Sequence, residues 1–405
     1  MSENSRLKTA ASSRYSEEEV LFEEEEFELS KKAKYWLYVT GGLLLVGSLY
    51  FFTIFLPAMF IPESVELEGI SKLSELGVTL IPLAPERVQQ LGMPDQAVIK
   101  ELGEVELGGD EADLSDESTN ASNLQKSKVE RLIMIGDIHG HYKEFLKLLK
   151  KINFNRKSDH LLVLGDFITK GPDSFKVLDF LVENDIDCIM GNHEYYVLQN
   201  YAQYHGKKSP YFRINSTETS ETNQRFTAKD NFNQDPEFLL AKKLNKVHVK
   251  YINQCSIIKK LGLVPLHKSK NSGTSKFAEG IAVHAGIRWD LELLEQNPVE
   301  NLEMRSYIGP FYNETTDDPF EENALSWSKY YNKKQKEMNP DDGLVVYYGH
   351  DARRGLSFRR FAKGMDSGCE KGDQLTAMVI WNEVGTSKKG KKVVLHKEVP
   401  IQVDC

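Results

Sequence analysis

Short apolar runs, each broken by glycine and a polar residue, organise the middle of this chain. Leu132–Ile135 runs into Gly136-Asp137-Ile138-His139-Gly140, Leu161–Leu164 into Gly165-Asp166, and Ile186–Met190 into Gly191-Asn192-His193-Glu194. Runs of this length bounded by glycine read as buried strands that open into loops. Between them the period changes. Phe145, Leu148, Leu149 and Ile152 repeat at helical spacing over His141–Ile152, and Asp173–Glu183 reads as a second helix. The pattern predicts strands Arg131–Gly136, His160–Gly165 and Ile186–Met190 joined by helical crossovers, which is the grammar of a parallel sheet. Strand-like runs resume at Ile281–Val283, Leu344–Tyr348, Leu375–Trp381 and Lys392–Val399 with few helices between them. A second sheet packed on the first is expected, giving an α/β fold, a two-sheet β-sandwich flanked by helices.

The longest apolar stretch lies elsewhere. Trp36–Phe60 carries no charge, follows Lys31, Lys32 and Lys34, and precedes Glu63, Glu66 and Glu68. About 20 apolar residues span a bilayer as a helix. The flanking charges then place residues 1–35 in the cytosol and everything after residue 60 in a lumen or outside. A cleaved signal peptide would be shorter and nearer Met1. The expected organisation is an acidic tail (1–35), a transmembrane signal anchor (36–60), a lumenal stalk (61–127) and a catalytic domain (128–405) with a polar insertion (200–279). The stalk holds apolar clusters at Val78–Leu83 and Val88–Leu91, expected to pack on the catalytic domain, then an Asp-, Ser- and Asn-rich linker over Gly108–Lys126. Sequons at Asn120, Asn215 and Asn313 agree with a lumenal glycoprotein.

Charge refines this picture. The net charge of −9 disfavours bulk binding of nucleic acid. Residues 201–280 nevertheless hold fourteen bases against six acids, and Phe238–Leu261 reads as a helix bearing Lys242, Lys243, Lys246, Lys250, Lys259 and Lys260. A basic stretch beside a catalytic centre could guide a polyanion. Cys188 reads as core; Cys255, Cys369 and Cys405 show no metal-ligand spacing, and no disulfide pairing can be drawn from their positions.

The chemistry sits at the strand ends, the edge where open α/β sheets bind ligands. Asp137, His139, Asp166 and Asn192 arrive there from the first three strands. His284 follows Gly280–Val283, and His350 follows Leu344–Gly349. Carboxylate and imidazole together suit divalent metals. Six such candidates from five strand ends suit two ions sharing one carboxylate, a design that activates water and clamps attacking and leaving oxygens in phosphoryl chemistry.

From about Val129 to Trp381 these motifs resemble the calcineurin-like metallophosphatases, in their phosphoprotein-phosphatase branch. Gly-Asp-x-His-Gly, Gly-Asp-x-x-x-x-Gly, Gly-Asn-His-Glu and His284-Ala285-Gly286 carry the likeness. So do Met365-Asp366-Ser367-Gly368-Cys369 and Leu375-Thr376-Ala377, which are similar to bacterial members. The resemblance implies that Asp137 and His139 bind one metal, that Asp166 bridges, and that Asn192, His284 and His350 bind the other. His193 would protonate the leaving oxygen. The chain departs from the family's Gly-Asp-x-x-Asp-Arg-Gly: it has Thr169 and Lys170, so the carboxylate that usually orients the acid histidine is missing from this motif. Lys170 and Lys329 stand where bacterial relatives have arginine, and Arg288, Arg353 and Arg354 follow two of the ligands. All five are candidate substrate contacts. Lysine in place of a bidentate fork suits repeated, interchangeable phosphates.

The anchor, the lumenal domain and Ile168-Thr169-Lys170-Gly171-Pro172-Asp173-Ser174 together resemble the fungal zinc-dependent vacuolar endopolyphosphatases. That likeness implies cleavage inside inorganic polyphosphate chains, zinc as the metal and the vacuole as the compartment. From the residues alone, manganese, cobalt and iron fit as well. The competing expectations are a membrane-anchored protein Ser/Thr phosphatase and a dinucleoside polyphosphate hydrolase of the same fold.

Overall fold

The computed structural model describes residues 29–56, 59, 63–92, 126–215, 218–220, 234–266, 277–386 and 392–405. The acidic tail before residue 29, the Asn120 sequon, Ser216 and Thr217 of the second sequon, and Lys268, Lys270 and Lys276 lie outside them. The chain divides into two compact units, Met1–Phe60 and Ile61–Cys405.

In the first unit a helix begins at Lys31, capped by the Ser30 hydroxyl, which accepts from the Ala33 N–H. It runs to Tyr50 and continues as a wider turn over Phe51–Phe55. Lys31–Phe55 is long and apolar enough to cross a membrane, and none of its most apolar window is buried. Thr40 and Thr53 return their hydroxyls to the carbonyls of Trp36 and Leu49, which gives both side-chain hydroxyls a partner within the helix.

The second unit is built on two six-stranded sheets around one continuous apolar core. In the first, the order is Lys392–Asp404, Gln374–Thr386, Arg131–Ile135, Asp159–Val163, Asp187–Cys188, with Pro82–Leu83 also pairing to Gln374–Thr386. The last three strands of this order are parallel, and their register aligns Ile135 with Val163 and Val163 with Cys188. Their C-terminal ends therefore share one edge. At the opposite end the buried Arg131 guanidinium donates to both Asp159 carboxylate oxygens (2.8 and 2.6 Å) and to the carbonyls of Ile152 and Asn153. This fork fixes the register of the first two strands.

The second sheet runs Ser357–Phe358, Ala362–Gly364, Val345–Tyr348, Phe277–Val283, Ile258–Pro265, Leu73–Glu75. Phe277–Val283 and Val345–Tyr348 are parallel, with Ala282 opposite Tyr347, so His284 and His350 leave the same edge. A bridge from Ile189 to Ser256 joins the sheets. Helix Tyr142–Ile152 buries Phe145, Leu148, Leu149 and Ile152, the residues whose spacing predicts it, and packs on Gln374–Thr386 and Lys392–Asp404. Helix Trp327–Met338 lies against Ala362–Gly364 of the other sheet. The sandwich flanked by helices is thus present.

Three points of organisation become definite. The apolar clusters of residues 63–92 pack on the catalytic domain as expected: Leu67, Ile70, Leu76, Leu83 and Leu91 are core residues, and short strands from this segment pair into its sheets. The predicted helix Phe238–Leu261 breaks into Pro236–Ala241 and Lys246–Gln254, and the chain then becomes the strand Ile258–Pro265. All four cysteines pair, Cys188 with Cys255 and Cys369 with Cys405. Both bonds fit an oxidising compartment.

Candidate active site

The five aligned strand ends deliver their loops to one open cavity of about 400 Å³. Asp137, His139, Asp166, Lys170, Asn192, His193, His350 and Arg353 line it, in keeping with the sequence; His284 lies directly beneath, fully buried. The backbone is bent to achieve this. His139, Asp166 and His350 sit at φ of 46°, 48° and 67°, in the left-handed region that non-glycine residues rarely adopt. Strain of this kind is sustained by the surrounding frame and concentrates at functional sites. Glycine is required beside it: a Cβ on Gly349 would overlap the Asp137 carboxylate, and one on Gly191 would overlap Asp166 and Glu194.

Asp166 is the centre of the arrangement. Its Oδ2 lies 3.6 Å from His139 Nε2, and its Oδ1 lies 3.3 Å from His284 Nε2. Around His284 Nε2 gather Asn192 Oδ1 at 3.0 Å and His350 Nδ1 at 3.2 Å. Each imidazole is set by its other nitrogen. His284 Nδ1 donates to the Leu164 carbonyl (2.8 Å), His350 Nε2 to that of Glu303 (3.0 Å), and His139 Nδ1 faces that of Ile168 (3.3 Å). The inward nitrogens are thereby the ones free to ligate. Glu194, wholly buried, accepts the N–H groups of Asp166, Phe167, Ile168 and Gly191, and so holds the Asp166 loop in place.

The electrostatics say what such a cluster needs. Burial and the nearby Asp366 and Asp166 carboxylates push Asp137 well above the usual carboxylate range. Burial raises Asp366 to about 6 and lowers His139 to about 4. Burial and His284 drive His350 far below the ordinary imidazole value. Burial would lift Asp166 as well, but His284, His193 and His139 outweigh it and hold that carboxylate well below its usual range. Carboxylates crowd here, with imidazole lone pairs converging among them. The Lys170 ammonium lies 3.1 Å from His139 Nε2, as a cation facing that lone pair does. This donor set fits divalent cations: Asp166, His284 and His350 form one geometric ligand cluster, and Asp166 with His139 and His193 another.

Other predicted contacts divide. Lys170 reaches the cavity but is also bound to Glu370 Oε2 at 2.7 Å, and the Arg353 guanidinium lies over the exposed Phe320 ring at 4.5 Å. Arg288, Arg354 and Lys329 are placed elsewhere. Arg288 is forked onto Asp290 (3.0 and 2.6 Å). Arg354 is used up by Asp351, Ser306 and the carbonyls of Arg305 and Pro319, so it braces its own loop. Lys329 is exposed on helix Trp327–Met338 and does not line the cavity. Nor do the described lysines of the basic stretch: Lys259 pairs with Asp187, Lys246 with Glu63, and Lys242 lies over Phe238.

Sequence reasoning misses Arg305, Lys371, Asp366 and Glu370 as wall residues, and Glu237, whose Oε1 lies 2.6 Å from His193 Nδ1. Asp366 and Glu370 carry a signal, since one lies within the Met365–Cys369 motif and the other adjoins it. Glu237, isolated in the insertion, carries none.

Comparison with known proteins agrees with this geometry. The calcineurin-like phosphoesterase family model matches residues 130–354. A zinc-dependent endopolyphosphatase of Saccharomyces cerevisiae is 28% identical over 285 residues, covering 67% of this chain and 80% of that protein. The symmetrical bis(5'-nucleosyl)-tetraphosphatase of Wigglesworthia glossinidia brevipalpis is 49% identical over 72 residues, only 17% of this chain and 26% of that one. A solved protein serine/threonine phosphatase from Saccharomyces cerevisiae is 14% identical, with a TM-score of 0.36 over 66% of this chain and 79% of that one. The family match spans more than half of the chain and contains all six strand-end ligand candidates: the chain belongs to the calcineurin-like phosphoesterases, which are metal-dependent hydrolases.

Proposed function

We propose that this chain is an endopolyphosphatase that uses two divalent metal ions, zinc foremost, to hydrolyse phosphoanhydride bonds inside inorganic polyphosphate. The observation that carries the reading is the cavity wall. Around the carboxylate and imidazole centre stand four cations, Lys170, Arg305, Arg353 and Lys371, with both lysines paired to Glu370 at 2.7 and 3.9 Å. Several cations along an open cleft suit a run of like phosphates passing through it. Similarity to the yeast endopolyphosphatase supports the same substrate.

In this reading Asp137, His139 and Asp166 hold one metal, and Asp166, Asn192, His284 and His350 hold the other. Bound metals supply Lewis acidity and lower the pKa of water at the site. The protein does the rest. The four wall cations neutralise the non-bridging oxygens, preorganised charge that is worth most in a partly enclosed cleft. His193, with Nε2 3.8 Å from Asp166 Oδ2 and its ring edge against His139, faces the cavity as proton donor to the departing oxygen. A phosphate leaving from within a chain needs little such help, so His193→Ala should retain measurable polyphosphate cleavage, checked by initial rates. Arg305→Ala with Lys371→Ala should raise KM for long chains about tenfold, each lost charged contact being worth roughly 0.2–1 kcal/mol at an exposed wall. An unchanged KM would remove those residues from the binding path.

The topology belongs to the same proposal: Trp36–Phe60 anchors the chain as a signal anchor, with the catalytic unit in the vacuolar lumen. Two disulfides and an exposed Asn313 support it. Asn313→Gln should remove one glycosidase-sensitive step in gel mobility if that sequon is used.

The test of activity is direct. Full-length protein in detergent, stripped with chelator, is given long-chain polyphosphate with Zn²⁺, Mn²⁺ or Co²⁺, and products are resolved on a gel. A metal-dependent ladder of intermediate lengths is expected. Intact polymer under every metal, with turnover of phosphopeptide or dinucleoside tetraphosphate instead, would overturn the substrate assignment and leave the hydrolase in place.

A further inference from the structure

The insertion brings a carboxylate to the site, not the lysines its composition advertises. Helix Pro236–Ala241 starts on Asp235, whose carboxylate accepts from the Glu237 N–H at 3.0 Å, and Pro236 fills the first helical position. The helix packs against Asn192–His205, whose second residue is His193. Glu237 is thereby buried, 4% exposed, with Oε1 2.6 Å from His193 Nδ1. Thr169, at the position where the family carries a carboxylate, has a buried hydroxyl without a hydrogen-bond partner.

We infer that Glu237 is the positioning residue of the general acid: it accepts the His193 Nδ1–H and turns Nε2 toward the leaving oxygen. The inference rests on the proposed role of His193. A short bond between buried groups selects one ring orientation and one tautomer, as a carboxylate does for any catalytic imidazole. In the step itself, water oxygen bonds to phosphorus and gives up one proton to solvent, and the bond to the leaving oxygen breaks. The Nε2 proton passes to that oxygen, and the Nδ1 proton stays on the ring, hydrogen-bonded to Glu237. Solvent then returns a proton to Nε2. The insertion is therefore part of the catalytic apparatus and supplies from a distant segment what the Gly165–Gly171 loop lacks.

Four proteins test this: Glu237→Gln, Glu237→Asp, His193→Ala and the double variant His193→Ala/Glu237→Gln, all full length and metal-loaded. Kinetics are read on polyphosphate, and on p-nitrophenyl and phenyl phosphate, which differ in how much the leaving oxygen needs a proton. On phenyl phosphate Glu237→Gln should lower kcat about 10–100-fold with little change in KM, a range typical of partners that orient a catalytic or ligating histidine, and on polyphosphate the loss should be smallest. The loss should be larger for phenyl than for p-nitrophenyl phosphate. Glu237→Asp should recover part of it, and adding Glu237→Gln to His193→Ala should cost nothing more. Thermal melts check that each variant is folded. A loss in His193→Ala with Glu237→Gln at the wild-type rate, or losses that multiply in the double variant, would overturn the role of Glu237 alone. An unimpaired His193→Ala on phenyl phosphate would overturn the acid assignment and Glu237 with it.

Discussion

Asp166→Asn should reduce turnover about a thousandfold or more, the largest effect of any single substitution in the molecule. The amide keeps the volume of the carboxylate and can still accept the His193 N–H, now at 3.1 Å, so the fold should survive. What goes is the one negative charge shared between His139 on one side and His284 on the other. Under the proposed assignment both metals lose an anionic ligand at once. A loss of several kcal/mol in transition-state charge stabilisation corresponds to roughly three powers of ten in rate. Paired measurements of kcat and bound metal decide it. A variant that binds two ions per chain and turns over near the wild-type rate would remove Asp166 from the bridging position.

The second large effect falls on stability. Cys188 and Cys255 close a loop with a sequence separation of 67. In the loop-entropy description a closure of that length is worth about 4 kcal/mol, with enthalpic terms able to move the figure. Replacing both cysteines by alanine should lower the melting temperature by roughly 5–10 °C. The enclosed segment carries Asn192, His193 and Glu237, so activity should also decline at temperatures where the wild type is fully folded. Melting under non-reducing conditions tests this. An unchanged midpoint would mean that the bond contributes nothing to the folded state.

The strand ends are legible because two signals coincide there: an apolar run long enough to be a buried strand, and a glycine that lets the backbone turn so that a ligand points inward. Asp137, Asp166 and Asn192 are placed by that logic alone, and all three line the cavity. In segment 63–92 the apolar clusters that pack on the catalytic domain are legible but the strands are not, because Ile70–Ser71 and Pro82–Leu83 are only two residues long. No alternation shows over such a length, and pairing to distant strands is what makes them structure. Helix Lys246–Gln254 is overrun in the sequence for a related reason: the chain beyond Cys255 pairs with Phe277–Val283, a non-local decision. Arg288 and Arg354 carry a local warning, since Asp290 and Asp351 lie two and three residues away and claim them. Glu237 cannot be found from composition, because nothing distinguishes it from the other five acids of residues 201–280.

At the rim of the cleft Glu370 holds Lys170, and the turn Cys369–Lys371 that carries Glu370 is fastened by disulfide to Cys405. Breaking that bond frees the turn between Gly368 and Gly372, both in left-handed conformations that glycine leaves easily. Dithiothreitol, added to assays as a matter of routine, would therefore loosen a charged contact at the mouth of the cleft, in addition to whatever it does at Cys188–Cys255. A hydrolase that transfers no electrons would then have a rate that depends on the thiol poise of its surroundings.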